Sequence, residues 1–282
     1  MTPYTTVIEV EELFPHYHDP HWVIVDCRFD LTNPQWGFED YQRGHVPGSV
    51  YAHLDHDLSA PPTPQTGRHP LPSPSDFAIT LERLGISNDS QVVALDTSGG
   101  SFAARLWWML KWMGHDSVAV LNGGWNAWKV AGFSIAQGVE NKPRGKFIPH
   151  PQFGKFVSTL EMVELIGNSD FKVVDARAPE RYRGEIEPLD PVAGHIPGSI
   201  NRFHEKNLAR AGKLKPAELL RKEFEELLGD TPPSQVIVYC GSGVTSCHHL
   251  LAMEYAGIQG AKLYAGSWSE WIRDPNRPVE LG

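Results

Sequence analysis

Four short segments of this 282-residue chain recur in the same order at offsets of about 143 to 150 residues. Val23-Ile24-Val25-Asp26-Cys27-Arg28 returns as Lys172-Val173-Val174-Asp175-Ala176-Arg177. Gly44-His45-Val46-Pro47-Gly48-Ser49-Val50 returns as Gly194-His195-Ile196-Pro197-Gly198-Ser199-Ile200. Gln91-Val92-Val93-Ala94-Leu95-Asp96 returns as Gln235-Val236-Ile237-Val238-Tyr239-Cys240, and Gly123-Gly124-Trp125 through Trp128 returns as Gly266-Ser267-Trp268 through Trp271. Ordered self-similarity of this kind marks a duplicated unit, and the length suits two domains. The expected division is an N-terminal domain over 1–140, a linker over 141–156 and a C-terminal domain over 157–282. Pro143, Pro149 and Pro151, in the stretch Gly138–Gly154, break any regular element there.

Each half alternates apolar runs of strand length with helical patterns. Phe171–Asp175 and Gln235–Tyr239 are continuous apolar runs, as strands buried on both faces require. Ser158–Ile166 starts on a capping box, Ser158 with Glu161. Pro216–Leu228 has proline at its start and Gly229 just past its end, and Val244–Tyr255 is stopped by Gly257. Strands alternating with helices predict an α/β fold, a tandem of two domains, each a parallel sheet flanked by helices. Pro61–Pro74 is rich in proline, has no core pattern and reads as a surface loop.

A formal net charge of -9 argues against nucleic acid as a partner. It also means that any anion site must be made locally, from backbone amides and a few arginines. No apolar run approaches a membrane span of roughly 18 residues, and the N-terminus lacks the charge and apolar pattern of a signal peptide. The three cysteines, Cys27, Cys240 and Cys247, are too few for a disulfide framework and lack metal-ligand spacing. The expected compartment is the cytoplasm.

Cys240 stands where an apolar run meets Gly241-Ser242-Gly243-Val244-Thr245 and then a helical pattern. A strand end fixes the sulfur, glycines let backbone N–H groups curl around it, and a helix N-terminus faces it. Together these favour a thiolate. In the other half the corresponding residue is Asp96, which cannot be a soft nucleophile. Chemistry is therefore expected in the C-terminal domain, at the carboxyl end of its sheet, with the N-terminal domain in support.

These residues resemble the two-domain rhodanese and 3-mercaptopyruvate sulfurtransferase family. Tyr41…His45-Val46-Pro47-Gly48 is similar to its first-domain signature, with Ser49 where alanine is common. Tyr264-Ala265-Gly266-Ser267-Trp268-Ser269-Glu270-Trp271 is similar to its C-terminal signature. Cys240 through Thr245 is similar to the six-residue active loop of the mercaptopyruvate branch. The resemblance implies a double displacement. Cys240 takes a sulfane sulfur from a small anionic donor, 3-mercaptopyruvate or thiosulfate, and the persulfide passes it to cyanide or a thiol. No metal or organic cofactor is required, and neither nucleic acid nor membrane is implied as a partner.

Both donors are anions suited to a guanidinium. Arg181 matches the family's first substrate-binding arginine, and Arg183 is a second candidate. The family's further arginine downstream is replaced by the acidic stretch Glu185-Ile186-Glu187-Pro188-Leu189-Asp190. The loop, for its part, lacks the basic residues of thiosulfate enzymes, so the donor stays open between the two, with Ser242 as a group for proton transfer. By the resemblance His45 joins a proton relay with a loop serine, with Asn33 or a neighbour where an aspartate would complete it. Its repetition as His195 points instead to a turn-stabilising residue. Asp26-x-Arg28 and Asp175-x-Arg177, present in both halves, read as structural ion pairs. Cys247 is a candidate to resolve an oxidised Cys240, or simply packs. A phosphatase on the same scaffold would need an arginine six residues after the cysteine, where Ser246 stands. A sulfur carrier without turnover of its own is the alternative from another class.

Overall fold

In the computed structural model, which describes residues 2–282, the duplication is visible strand by strand. The first sheet comprises β1 (Val7–Ile8), β2 (Trp22–Asp26), β3 (Val50–Tyr51), β4 (Gln91–Leu95) and β5 (Val118–Leu121). Its spatial order is β1-β5-β4-β2-β3, with every pairing parallel. The second comprises β6 (Phe156–Val157), β7 (Lys172–Asp175), β8 (Ile200–Asn201), β9 (Val236–Tyr239) and β10 (Lys262–Tyr264), in the order β6-β10-β9-β7-β8 and again parallel. Each strand thus holds the same place as its sequence repeat. The central strands β2, β4, β5 and β9 are buried at every residue, which is why they read as unbroken apolar runs.

Helices flank both sheets, and the local signals in the sequence set their ends. Thr159–Leu165 begins on the Ser158–Glu161 capping box, both halves of which form. Ala217–Leu228 ends at Gly229 with φ 56°, and Thr245–Tyr255 is followed by Gly257 at φ 81°. Trp107, Trp108 and Trp112 are buried in helix Ala103–Trp112, where the Trp107 indole donates to the Thr5 carbonyl at 2.9 Å.

The repeated polar motifs build the same device twice. The Arg28 guanidinium grips Asp26 (Nη2 to Oδ2, 2.7 Å), donates to the Gly44 carbonyl at 2.8 Å and lies over Trp125. Arg177 does the same with Asp175 (2.7 Å), the Gly194 carbonyl (2.7 Å) and Trp268. Each pair ties a central strand to the Gly-His-x-Pro-Gly turn beside it.

The chain packs as two units whose membership does not follow the sequence halves. One contains residues up to Ala60, Pro72–Gln152 and Ala209–Leu214, and the other contains Pro61–Leu71, Phe153–Leu208 and Lys215–Gly282. Most of the stretch expected as a linker lies on the first unit. The Gly145 N–H reaches the Glu82 carbonyl at 2.8 Å, and that of His150 reaches Met113 at 3.0 Å. Residues 61–71, expected as a surface loop, pack with the C-terminal sequence. Among the described residues no helix is long and apolar enough to cross a membrane.

Candidate active site

Cys240 follows directly on β9 and is held from below. Its N–H donates to Ser267 Oγ at 3.1 Å and its carbonyl accepts from the Trp268 N–H at 3.0 Å. The next carbonyl, of Gly241, accepts from the Ser269 N–H at 2.9 Å. The loop then needs glycine at 243, where φ is 78° and a Cβ would stand 2.3 Å from the Ala265 carbonyl oxygen. Helix Thr245–Tyr255 starts immediately afterwards, so its N-terminal end meets the sulfur. Cys240 is only 2 % exposed. Burial opposes ionisation of the thiol, yet its pKa is lowered. The Ser246 and Thr245 hydroxyls and the Ser242 and Ser246 backbone N–H groups stabilise the thiolate more than burial penalises it. The Ser246 hydroxyl donates to Sγ at 3.5 Å.

The first unit shows what this loop geometry selects. At the end of β4, the Asp96 carboxylate accepts four backbone N–H bonds: from Ser98 and Gly100 at 2.8 Å on Oδ1, and from Phe102 and Ala103 at 2.8 and 2.9 Å on Oδ2. Donors two and six residues after the anion recur in both halves, Ser98 and Phe102 for Asp96, Ser242 and Ser246 for Cys240. The duplicated strand–loop–helix is an anion cradle, filled by a carboxylate in one copy and by a sulfur in the other.

Around Cys240 the second unit gathers charges in an alternating chain. Asp175 pairs with Arg177, whose Nη1 reaches Glu187 at 3.4 Å. Glu187 accepts from Arg181 Nη2 at 2.7 Å and Nε at 3.1 Å. Arg181 Nη2 also reaches Asp190 at 3.2 Å, and Asp190 pairs with Arg68 Nη1. Arg68 arrives on the segment Pro61–Leu71, pinned by bonds from the Gly67 N–H to Glu270 (3.2 Å) and from the Arg68 N–H to Ser269 Oγ (3.1 Å). The neighbouring His69, 5 % exposed, places Nδ1 2.7 Å from Ser242 Oγ in the active loop. Sequence reading missed Arg68, His69 and Ser246. The one signal was a Gly-Arg-His run inside an otherwise proline-rich stretch.

Other residues marked by the sequence lie elsewhere. His45 is fully buried in the first unit, its ring 4.1 Å from that of Tyr41, Nδ1 2.8 Å from the Tyr41 carbonyl and Nε2 3.8 Å from Glu140. His195 repeats this with Tyr182 at 3.8 Å and 2.8 Å and with Glu280 at 3.6 Å. The histidine that meets the loop serine is His69. Arg183 forks onto Glu185 at 2.7 and 2.9 Å, outside the alternating chain. The Cys247 thiol donates to the Gly243 carbonyl at 3.3 Å, bracing the loop from within the helix. Burial, with Asp26 nearby, pushes the Cys27 thiol well up, away from reactivity. Among the described residues, no cluster of His, Cys, Asp or Glu is arranged to hold a metal ion.

Comparison with known proteins agrees with the duplication. Residues 9–131 and 158–274 both match the rhodanese-like domain family. A Pseudomonas aeruginosa protein named "Probable 3-mercaptopyruvate sulfurtransferase" is 44 % identical over 278 residues, 98 % of each chain. Thiosulfate/3-mercaptopyruvate sulfurtransferase 2 of Arabidopsis thaliana is 32 % identical over 305 aligned positions, 97 % of this chain and 86 % of that one. The crystal structure of SseA from Escherichia coli, described among 3-mercaptopyruvate sulfotransferases, superposes with a TM-score of 0.81 at 30 % identity, covering 95 % of this chain and 100 % of that one. With both halves matched and the fold shared end to end, the chain belongs to the two-domain rhodanese and 3-mercaptopyruvate sulfurtransferase family and is an enzyme of the sulfurtransferase type.

Proposed function

We propose that the chain moves a sulfane sulfur from 3-mercaptopyruvate to cyanide or a thiol through a persulfide on Cys240. The supporting observation is the pair of anion cradles. The loop that wraps a carboxylate at Asp96 wraps a thiol of lowered pKa at Cys240. In the first half-reaction the Cys240 thiolate forms a bond to the donor sulfur, and the carbon–sulfur bond breaks. Its electron pair leaves as the enolate of pyruvate, which takes up one proton. In the second, cyanide attacks the outer persulfide sulfur, the sulfur–sulfur bond breaks, thiocyanate departs and the Cys240 thiolate returns. Splitting one transfer into two displacements gives ping-pong kinetics.

The choice of donor rests on His69 and Ser242. An imidazole 2.7 Å from the loop serine is a proton source beside the nucleophile. An enolate leaving group needs that proton, whereas sulfite leaving from thiosulfate does not. Thiosulfate is therefore the secondary donor, and Arg181 is the proposed contact for the anionic end of either. Steady-state assays with each donor and cyanide test this. The expected results are multiple turnovers, a higher kcat/KM with 3-mercaptopyruvate, and a mass gain of one sulfur on Cys240 when acceptor is withheld. Cys240→Ser is expected to abolish all three. A single equivalent of thiocyanate per protein would identify a sulfur carrier instead, and turnover by Cys240→Ser would dismiss the mechanism.

A further inference from the structure

The two units differ just before the Gly-His-x-Pro-Gly turn. In both, the histidine Nδ1 lies 2.8 Å from a tyrosine carbonyl, but Tyr41 and His45 are four positions apart and Tyr182 and His195 thirteen. The second unit therefore carries an insert, residues 185–193, between the counterparts of Arg43 and Gly44. That insert covers a tryptophan. The Trp268 indole N–H donates to the Val192 carbonyl at 2.9 Å, and Trp268 is fully buried. The first unit has no insert. An open cleft of about 640 Å³ stands there instead, lined by residues that include Asp40, Arg43, Gly44, Trp125, Lys129 and Ile135, all members of the first unit. Trp125, the counterpart of Trp268, is only 4 % exposed. Its Cζ2 lies 3.5 Å from where a Cβ on Gly44 would stand, so the edge of the indole that carries Nε1 borders the cleft. Among the described residues that N–H has no hydrogen-bond acceptor, whereas a buried indole ordinarily finds one.

From this geometry we infer that the cleft is a docking site for an acidic loop of a partner protein, seated on the first unit as residues 185–193 are seated on the second. The charges at its rim suit such an occupant. Asp40 is neutralised from below, its carboxylate 2.6 Å from Arg28 Nη1, in the role that Glu187 plays for Arg177. The charges left over are positive. Lys129 Nζ stands 5.7 Å from the centre of the Trp125 ring and pairs with no carboxylate among the described residues. Arg43 is exposed and reaches only Glu39, at 3.5 Å. Ile135, also exposed, adds an apolar wall. A docked loop thus finds an N–H for one backbone carbonyl, two cations for its carboxylates and a surface for one aliphatic side chain. The insert shows the composition that fits this kind of place. Glu185-Ile186-Glu187-Pro188-Leu189-Asp190-Pro191-Val192-Ala193 combines three carboxylates with aliphatic residues, and its prolines keep it out of helix and sheet.

The probe is the sequence of residues 185–193 as a free peptide capped at both ends, titrated into the full-length protein. It is expected to bind with a Kd below about 1 mM, more weakly as salt is raised. Isotopic labelling of the nine tryptophans makes each indole N–H a separate magnetic-resonance signal. The signal that is missing in Trp125→Phe is expected to move on binding. Arg43→Glu combined with Lys129→Glu exchanges two attractions for two repulsions and is expected to weaken the peptide at least about tenfold. The same loss is expected for a wild-type titration with a peptide whose Glu and Asp are replaced by Gln and Asn. No saturable binding, a Trp125 signal that stays in place, or unchanged affinity in the folded double variant would each overturn the inference. Displacement of the peptide by an equal concentration of inorganic phosphate would make the cleft a small-anion site and overturn it too. Should Trp125→Phe not fold, the double variant decides, because both of its substitutions lie on exposed side chains.

Discussion

Removing a single buried hydroxyl should retune the Cys240 thiol without disturbing its scaffold. Ser246 is fully buried on the first turn of helix Thr245–Tyr255 and donates to Cys240 Sγ at 3.5 Å. In Ser246→Ala the backbone N–H of 246 remains, alanine favours the helix, and one oxygen is lost from the packing. A hydrogen bond to a charged group contributes about 1.5–3 kcal/mol. The long S···O separation argues for the lower end, and about 1.4 kcal/mol corresponds to tenfold in an ionisation constant. The sign follows from the direction of the native shift. The hydroxyl helps lower the Cys240 pKa, so its loss moves the thiol upward. Below the wild-type midpoint the thiolate fraction, and with it the rate of alkylation by iodoacetamide, should fall roughly tenfold. Well above both midpoints the two proteins should react alike. The assay is the pH profile of Cys240 alkylation. Superimposable profiles, or a shift toward acid, would refute the reasoning that side-chain donors set this thiol's ionisation.

Three further outcomes are expected. Asp96→Ala strips the acceptor from four backbone N–H groups and should destabilise the first unit by about 2–4 kcal/mol in urea unfolding, while the Cys240 alkylation rate stays at the wild-type value. His69→Gln should lower kcat with 3-mercaptopyruvate about 10²-fold, on the scale of general acid–base contributions, and change thiosulfate turnover far less; equal losses with both donors would remove His69 from proton transfer. Gly243→Ala forces a side chain into a left-handed turn against the Ala265 carbonyl and should cut activity at least tenfold through a displaced loop, with near-native far-UV circular dichroism and a lowered Tm.

Much of the architecture was legible because it is local and repeated. Apolar runs at Phe171–Asp175 and Gln235–Tyr239, the Ser158–Glu161 box and the stop at Gly257 each carry their meaning within a few residues, and duplication lets one half check the other. Cys240 was legible as the candidate nucleophile because an apolar strand runs into Gly241-Ser242-Gly243 there, at the position that Asp96 holds in the other half. The partners of that sulfur were not. Arg68 and His69 reach the loop from more than 170 residues away in sequence (69 to 242), through a stretch whose prolines suppress any periodicity, and tertiary contacts of a loop leave no period to read. His45 drew attention because its motif is conspicuous, yet its twin His195 makes the same stacking and carbonyl contacts in the other half, as a turn residue would. Glu187 and Asp190 read in one dimension only as acidic residues where the family's further arginine is expected. In three they hold guanidinia by bonds of 2.7 to 3.2 Å.

The trade of short straps between units, residues 61–71 in one direction and 209–214 in the other, ties the fate of each half to its sister. A fragment starting at Phe153 would inherit the sulfur-bearing cysteine without the arginine and imidazole that attend it, and would leave Gly241 and Ser242 facing solvent. The N-terminal half of the sequence thus lends eleven residues, 61–71, to the unit that holds Cys240.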